Sequence, residues 1–311
     1  MSRPVRLRLG AAMGGLLVAA CGARGKPAGH EFDGARAFTY LEQQVRFGPR
    51  IPGTAAHDST GDWILARLRE RADTVIVQDI PYRTAAGQAL HLHNYLARFR
   101  PAEAERVLYL AHWDTRPRAD QSANLAAQRQ PVPGANDGAS GVAVLLGVAD
   151  ALKANPPTVG VDLLFVDGED YGDFADSNAV LIGSRWFAAH QPAGYPPLYA
   201  VLFDMVGDKD LHIGYEGNSQ GFAPEVVDLV WRTAADLGYR SVFVQQLAST
   251  LIDDHVSLQR AGIHAIDVVD FSYGPGNSYW HTTEDTVDKV SAQSLQIVGD
   301  VAVALVRKAG Q

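Results

Sequence analysis

Short apolar runs alternate with stretches of helical periodicity from about residue 32 to the end of this 311-residue chain. Several of the runs are continuously apolar, as is typical of strands covered on both faces of a sheet. Strands are predicted at 75–80, 91–99, 106–112, 161–166, 199–204, 211–214 and 264–269. Helices are predicted at 59–71, 141–155, 184–191, 224–238, 255–261 and 292–308. This alternation predicts an α/β sandwich around a largely parallel sheet, and since no linker divides it, we expect one domain over residues 32–311.

The first 21 residues form a different pattern. Three arginines within the first eight residues precede an apolar stretch at 9–20 that is too short to span a membrane comfortably. This pattern predicts a signal peptide over residues 1–21. Its end, LVAAC at 17–21, resembles the bacterial lipobox, in which the cysteine is lipidated and becomes the new N-terminus. The alternative is an ordinary secretory signal that contains a cysteine.

Lipidation of Cys21 would anchor the protein to a membrane of the bacterial cell envelope, facing the periplasm or the exterior. Residues 22–31 would then form a short tether that is rich in Gly and Pro. Cys21 is the only cysteine, so a disulfide within the chain is impossible.

The charge of the chain bears on its partners. The formal net charge is −8, and it becomes −11 if the three arginines of the signal peptide are removed. Phosphate binding needs a basic patch, so this acidic balance argues against nucleic acid as a partner.

Polar clusters follow the predicted strands at their C-terminal ends, which is the edge where open α/β sheets bind ligands. Carboxylates and imidazoles gathered there suit zinc, which binds oxygen and nitrogen ligands. The clusters are His112-Trp113-Asp114, Asp167-Gly168-Glu169-Asp170, Asp204 and Tyr279-Trp280-His281, with Asp137 just before a helix.

Each of these residues also has an ordinary structural explanation. Asp137 in an Asn-Asp-Gly sequence is commonly a turn or cap residue, and His112 alone is more often a hydrogen-bonded structural histidine. Asp204 can cap the next element, and Trp113 and Trp280 can pack in a core. The ordered set, rather than any single residue, argues for a site.

The segment 115–134 has no predicted element, although it joins a strand to the helix at 141–155. Twenty structureless residues inside a compact domain usually mean a functional loop or a wrong assignment. We expect a loop beside the site.

The ordered motifs resemble those of the zinc aminopeptidase and glutaminyl cyclase family. The similarity extends from RFGPRIPGT at 46–54 to the C-terminal helix. It implies a three-layer α/β/α sandwich with a mixed, mostly parallel sheet, in agreement with the pattern above. The motifs are His112-x-Asp114, Asn136-Asp137-Gly-x-Ser-Gly, Glu169-Asp170, Asp204, Asp254-His255 and His281-Thr-x-x-Asp285-Thr.

The resemblance implies a catalytic zinc ion held by Asp137, Asp170 and His281. It implies that Glu169 is the general acid and base and stays off the metal. Trp280 matches an aromatic residue that lines the cyclase pocket.

Two versions of the site occur in the family. In the two-zinc aminopeptidases, His112 and Asp204 match ligands of a second zinc ion. In the one-zinc cyclases, the residues matching Asp204 and Asp254 join Glu169 in a carboxylate network. Asp114 matches a residue that orients His112.

The two enzymes use this constellation differently. An aminopeptidase hydrolyses the first peptide bond with water, whereas a cyclase turns an N-terminal Gln into pyroglutamate and releases ammonia. Asp253-Asp254-His255 and Trp280 favour the cyclase. Two departures count against it: Asp170 stands where cyclases usually have Glu, and the stretch 171–182 lacks a Trp that many cyclases carry.

We therefore expect a glutaminyl-peptide cyclotransferase with one zinc ion, acting on peptide or protein N-termini. A metallo-aminopeptidase with two zinc ions is the alternative. A lipoprotein that binds peptides or zinc without turnover is a third hypothesis, which an intact Glu169 disfavours.

Overall fold

The computed structural model of the protein describes residues 1–2, 29–176, 178–192 and 195–310. Cys21 lies outside the described residues, as do nearly all of the predicted signal peptide and most of the tether. None of the described helices is long and apolar enough to cross a membrane.

Strands and helices alternate along the described chain. The strands are β1 (Thr74–Arg83), β2 (Ala89–Phe99), β3 (Arg106–His112), β4 (Gly160–Val166), β5 (Tyr199–Asp204), β6 (Ile213–Tyr215), β7 (Phe243–Leu247) and β8 (Ala265–Val269). The helices are α1 (Gly34–Phe47), α2 (Ala55–Arg69), α3 (Ala139–Ala154), α4 (Ile182–Ala189), α5 (Gly217–Phe222), α6 (Pro224–Asp236), α7 (Asp254–Arg260) and α8 (Ala292–Ala309).

Six strands form one sheet in the order β1-β2-β4-β3-β5-β8. The pairs β4-β3, β3-β5 and β5-β8 are parallel, whereas β1 and β2 add an antiparallel edge. The predicted mixed, mostly parallel sheet is therefore confirmed. β6 and β7 form a separate two-stranded parallel sheet.

Helices cover both faces of the large sheet. Alternate side chains of its inner strands point to opposite faces, and both sets are apolar, so each face needs a covering layer. In β3, Val107 and Tyr109 join the core built with α1, α2, α3, α6 and α8. Leu108 and Leu110 pack with α4 and α7 on the other face. Every residue of β3 is buried, as its continuous apolar run predicts.

The strand order brings the predicted site residues together. β4, β3, β5 and β8 are neighbours and run parallel, so their C-terminal ends lie side by side at one edge. His112 and Asp204 are the last residues of β3 and β5, and Asp167 directly follows β4. The loop before α3 supplies Asp137 at the same edge, where ligands bind in open α/β sheets.

Candidate active site

Two groups of possible metal ligands share Asp137 at this edge. One group is Asp137, Asp170 and His281, and the other is His112, Asp137 and Asp204, with ligand atoms within 4.8 Å of one another in each group. Asp137 Oδ2 lies 3.4 Å from His281 Nε2, and Asp137 Oδ1 lies 3.2 Å from His112 Nε2. Asp137 thus turns one carboxylate oxygen towards each histidine, as the bridging ligand of a two-metal site would.

Buried acceptors hold the backbone beneath these ligands. Asp114 accepts hydrogen bonds from the amides of Glu169 at 3.0 Å and Asp170 at 3.2 Å. Its Oδ1 lies 3.6 Å from His112 Nδ1, which is longer than a hydrogen bond. The expected orientation of His112 by Asp114 is therefore not made by a hydrogen bond in this structure. Asp114 instead anchors the turn that carries Glu169, the predicted acid/base residue, and Asp170, a predicted ligand.

Asp285 anchors the other predicted ligand loop. Its carboxylate accepts hydrogen bonds from the amides of Asn136 at 2.8 Å and Asp137 at 3.1 Å, and from the Tyr273 hydroxyl at 2.7 Å. Burial, with repulsion from Asp137, raises the pKa of Asp285 to about 7. The sequence motif contains Asp285, but its role was not predicted. The spacing His281-Thr-x-x-Asp285 was the available signal.

The loop at 115–134 lies beside the site, as expected. Arg116 donates through Nη1 to Asp170 Oδ1 at 2.7 Å and to the Gly172 carbonyl at 3.1 Å. Its Nε and Nη2 donate to Asp120 at 2.8 and 2.6 Å. The guanidinium therefore holds one oxygen of Asp170. The other oxygen, Oδ2, is buried and has no hydrogen-bond partner among the described residues.

The backbone adopts unusual conformations at the ligand positions. His281 and Met205, which follows Asp204, have φ values of 52° and 47°, in the left-handed region that non-glycine residues rarely occupy. Gly138 has φ of 88°, and a Cβ there would lie 2.8 Å from the Asp114 carbonyl oxygen. Such strain persists where surrounding contacts impose it, and it clusters at functional sites.

A cavity of about 380 Å³ opens above these residues. Its floor includes Asp137, Glu169 and Asp204. Trp280 lines its wall, as expected, with its ring stacked on His281 at 3.9 Å and edge-on to Phe271 at 4.9 Å. The other lining residues are Arg116, Asp120, Gln121, Asp173, Phe174, Thr250, Leu251, Ile252, Asp253, Phe271 and His281.

Asp253, rather than the predicted Asp254, faces the cavity. Asp253 is the extended N-cap residue of α7, whereas Asp254 is its first helical residue. Asp254 is fully buried, and neither of its oxygens has a hydrogen-bond partner among the described residues. It is absent from the described residues that line the cavity. Asp253 therefore lines the cavity with Glu169 and Asp204, whereas Asp254 lies behind the cavity surface, where its charge also raises the pKa of Glu169.

Three of the carboxyl groups that line the cavity, those of Glu169, Asp204 and Asp253, influence one another. Burial raises the pKa of Glu169 well above its usual range, and the charge of Asp253 adds to the effect. Burial and repulsion from Asp204 raise the pKa of Asp253 to about 6. Burial also raises the pKa of Asp204. The three groups form one electrostatically linked cluster in the cavity.

Comparison with known proteins accounts for this arrangement. The model of peptidase family M28 matches residues 94–306. The chain belongs to this family. The M28 match covers β3, β4 and β5 and every predicted zinc ligand, so the site and the family assignment rest on the same residues.

Both activities expected from the sequence occur among the relatives of this M28 protein. The crystal structure of Porphyromonas gingivalis glutaminyl cyclase has 37% sequence identity and a TM-score of 0.86, covering 90% of this chain and 99% of that one. The crystal structure of a Zn-dependent exopeptidase from Parabacteroides distasonis has 32% identity and a TM-score of 0.85, covering 89% and 98%. Aminopeptidase YwaD of Bacillus subtilis is 30% identical over 194 residues, 57% of this chain but only 38% of that protein.

The residues at the M28 site fit zinc. The group Asp137, Asp170 and His281 is buried and offers carboxylate oxygens and an imidazole nitrogen, which are zinc ligands. Burial, with repulsion from Asp137, raises the pKa of Asp170 to about 7. A cation would offset that repulsion between buried carboxylates. The family and its Zn-dependent exopeptidase relative support zinc on independent grounds.

Proposed function

We propose that this M28 protein is a zinc-dependent glutaminyl-peptide cyclotransferase. The observation that carries the proposal is the cluster of Glu169, Asp204 and Asp253 in one cavity, which Trp280 and Phe271 also line. Cyclisation needs an enclosed pocket that folds a Gln side chain back onto its own amine, with acidic groups to handle protons. The similarity to a glutaminyl cyclase over 90% of the chain supports the same conclusion.

The proposed reaction requires no water. The α-amine nitrogen of the N-terminal Gln attacks the carbon of its side-chain amide, a new C–N bond forms, and the bond to the amide nitrogen breaks. Zinc held by Asp137, Asp170 and His281 would supply a Lewis acid that polarises the amide carbonyl. Glu169 takes a proton from the attacking amine and delivers it to the departing nitrogen, which leaves as ammonia.

The environment of Glu169 suits this proton transfer. A carboxyl group whose pKa is raised by burial is a stronger base when ionised and releases its proton less readily than an exposed one. Asp253 and Asp204 lie in the same cavity and can accept hydrogen bonds from the amine or from ammonia. Arg116 lies at the edge of the cavity, where its charge offsets part of the acidic cluster.

An aminopeptidase is the second candidate. The group His112, Asp137 and Asp204 favours it, because these residues could hold a second metal ion that activates water. The proposed cyclase instead leaves Asp204 in the carboxylate cluster. There Asp204 lies 3.2 Å from His112 Nε2 and accepts a hydrogen bond from the Met205 amide at 2.9 Å. We therefore propose about one zinc ion per chain.

Mass spectrometry of matched Gln- and Leu-peptides tests the proposal, with metal content measured on the same sample. We expect loss of ammonia from the Gln-peptide, little change in the Leu-peptide, and about one zinc ion per chain. Removal of the whole first residue together with two zinc ions would identify an aminopeptidase. Zinc binding without turnover of either peptide would favour the third hypothesis, a lipoprotein that binds peptides or zinc without catalysis.

We also propose that the protein is anchored in the bacterial cell envelope through lipidated Cys21, where it acts on peptide or protein N-termini. The lipobox-like end of the predicted signal peptide supports this proposal. Cys21→Ala should release the protein from membranes or block its maturation. A variant that fractionates with membranes as the wild type does would contradict the anchor.

A further inference from the structure

The cavity wall at residues 250–253 needs support from elsewhere in the molecule. Four consecutive residues, Thr250 to Asp253, line the cavity, and they belong to the connection between β7 and α7. Thr250 and Ile252 are exposed, so the apolar packing of this segment comes from half-buried Leu251, which packs against the cluster of Met205, Val269 and Tyr273. Asp253 at its end is the carboxylate that the proposed chemistry places next to the substrate amine.

Glu216 provides that support. It lies between β6 and α5, and its side chain is 1% exposed. Its Oε1 accepts a hydrogen bond from the Leu251 amide at 2.9 Å. The carboxylate also accepts from the Asn218 amide at 2.8 Å and from the Ser219 amide and hydroxyl at 2.7 and 2.6 Å. Capping of α5 explains the bonds from Asn218 and Ser219, but it does not explain the bond from Leu251.

Glu216 also contacts the chain on the other side of Asp253. Its Oε2 lies 3.2 Å from Nε2 of His255, and the His255 side chain is fully buried. Leu251 is two residues before Asp253 and His255 is two residues after it. One buried carboxylate therefore contacts the chain on both sides of the residue that faces the cavity.

Further contacts join the same two segments. The Asn218 side-chain amide donates to the Leu251 carbonyl at 2.6 Å, and the Gly217 amide donates to the Ser249 carbonyl at 3.0 Å. A Cβ at Gly217 would lie 2.0 Å from Thr250 Oγ1, so the Thr250 side chain packs directly on the Gly217 backbone. The start of α5 thus packs against the segment that forms the cavity wall and is hydrogen-bonded to it.

We propose that Glu216 is a positioning residue that holds Asp253 in the cavity through Leu251 and His255. This inference rests on the proposed function, because it assigns Asp253 to the substrate amine. A misplacement of about 1 Å in a reacting group can lower turnover by about 100-fold. Glu216 therefore contributes to turnover without touching the substrate.

Glu216→Gln is the informative variant. A Gln side chain keeps only one acceptor oxygen, so it cannot accept both the Leu251 amide, which bonds Oε1 of Glu216, and the Ser219 groups, which bond Oε2. We expect faster hydrogen–deuterium exchange over residues 249–255, kcat lower by about 10- to 100-fold, and unchanged zinc content. Glu225→Gln is the matched control, since Glu225 is exposed on α6 and pairs with exposed His264. It should change neither exchange nor kcat.

A double-mutant cycle with Asp253→Asn separates positioning from general damage. If Glu216 acts through Asp253, adding Glu216→Gln to Asp253→Asn lowers kcat little further, so the two effects are not additive. Independent effects that multiply would overturn the proposal, as would wild-type exchange and kcat in Glu216→Gln. Should Glu216→Gln fail to fold, Asn218→Ala removes the bond to the Leu251 carbonyl. That variant must accelerate exchange over 249–255 for the proposal to stand.

The exchange measurement does not depend on which reaction the enzyme performs. If the wild type cleaves Leu-peptides and leaves Gln-peptides unchanged, the proposed function fails. Faster exchange in Glu216→Gln and a lower kcat on the Leu-peptide would still support the positioning role of Glu216. Unchanged exchange would reject that role whichever peptide is the substrate.

Discussion

The floor and the outer wall of the cavity are built in different ways. The floor consists of buried side chains: Glu169 and Asp170 follow β4, and Asp137 comes from the loop before α3. The buried carboxylates of Asp114 and Asp285 accept hydrogen bonds from their backbone amides. The outer wall comes from connecting segments, and its residues are more accessible. Ile252, for example, is 62% exposed.

This difference indicates where specificity lies. A glutaminyl cyclase and a Zn-dependent exopeptidase resemble this chain almost equally, with TM-scores of 0.86 and 0.85. The shared fold and floor therefore do not separate the two reactions, in keeping with the rule that function resides in sites placed on folds. We expect the wall to select the substrate, and changes to the floor to have larger effects than changes to the wall.

Removing a floor ligand should have the largest effect. His281→Ala takes away one of three predicted zinc ligands, so we expect most of the zinc and all measurable turnover to be lost. Metal analysis of the purified protein measures this directly. His264→Ala, at an exposed histidine, is the control and should keep both. Full zinc content in His281→Ala would show that another residue holds the metal.

Glu169→Gln should abolish proton transfer while leaving the metal in place. General acid/base catalysis typically contributes about 10²- to 10⁴-fold, so we expect kcat to fall by that factor with normal zinc content. Steady-state kinetics and metal analysis on one preparation are sufficient. A Glu169→Gln protein without zinc would mean that the roles of Glu169 and Asp170 are exchanged.

Arg116 tests the support of the floor. Arg116→Met removes the donor that holds Asp170 Oδ1, and loss of such a partner typically costs about 10- to 100-fold in metal affinity. Competition with a chelator measures that affinity. Arg118→Met is a matched control two residues away, because Arg118 is exposed. Equal zinc affinities in the two variants would contradict a role for Arg116.

Trp280 tests the wall. Trp280→Ala should raise KM for a Gln-peptide by about 10-fold, which corresponds to about 1.4 kcal/mol of lost binding free energy. The ratio of kcat/KM for the Gln-peptide to that for a Leu-peptide should also fall. Trp186→Ala, on α4 and outside the residues that line the cavity, is the control. A larger loss in Trp280→Ala than in Glu169→Gln would reverse the expected order of floor and wall.

The smallest expected effect is the pH dependence of the stability that Glu216 contributes to the folded protein. Although burial favours the neutral acid, contact with His255 and hydrogen bonds from Ser219 and Leu251 lower the pKa of Glu216 from 4.5 to about 2. A lowered pKa stabilises the folded state above pH 4.5, and this contribution is lost as the pH falls from 4.5 towards 2. The Tm difference between wild type and Glu216→Gln should therefore shrink between about pH 6 and about pH 3. A constant difference would argue against this pKa.

Much of the fold was predictable because buried strands carry continuous apolar runs. The six strands of the large sheet were all predicted, with bounds that differ by at most three residues at either end. α1 was missed because its buried face consists mainly of Gly34, Ala37, Tyr40, Leu41 and Gln44, a weakly apolar set. β7 was missed because Phe243 is its only buried residue.

The sequence alone determined the residues of the floor. A residue that ends or directly follows a buried strand must lie at the edge of the sheet, so His112, Asp204 and the Asp167–Asp170 turn had to meet once the strands were parallel. The tertiary structure decided which side chains complete the cavity. It placed Asp253 rather than Asp254 in it, brought Arg116 to Asp170, and put Glu216 behind Leu251. These contacts join segments far apart in the chain through irregular connections, where no periodic pattern constrains the direction of a side chain.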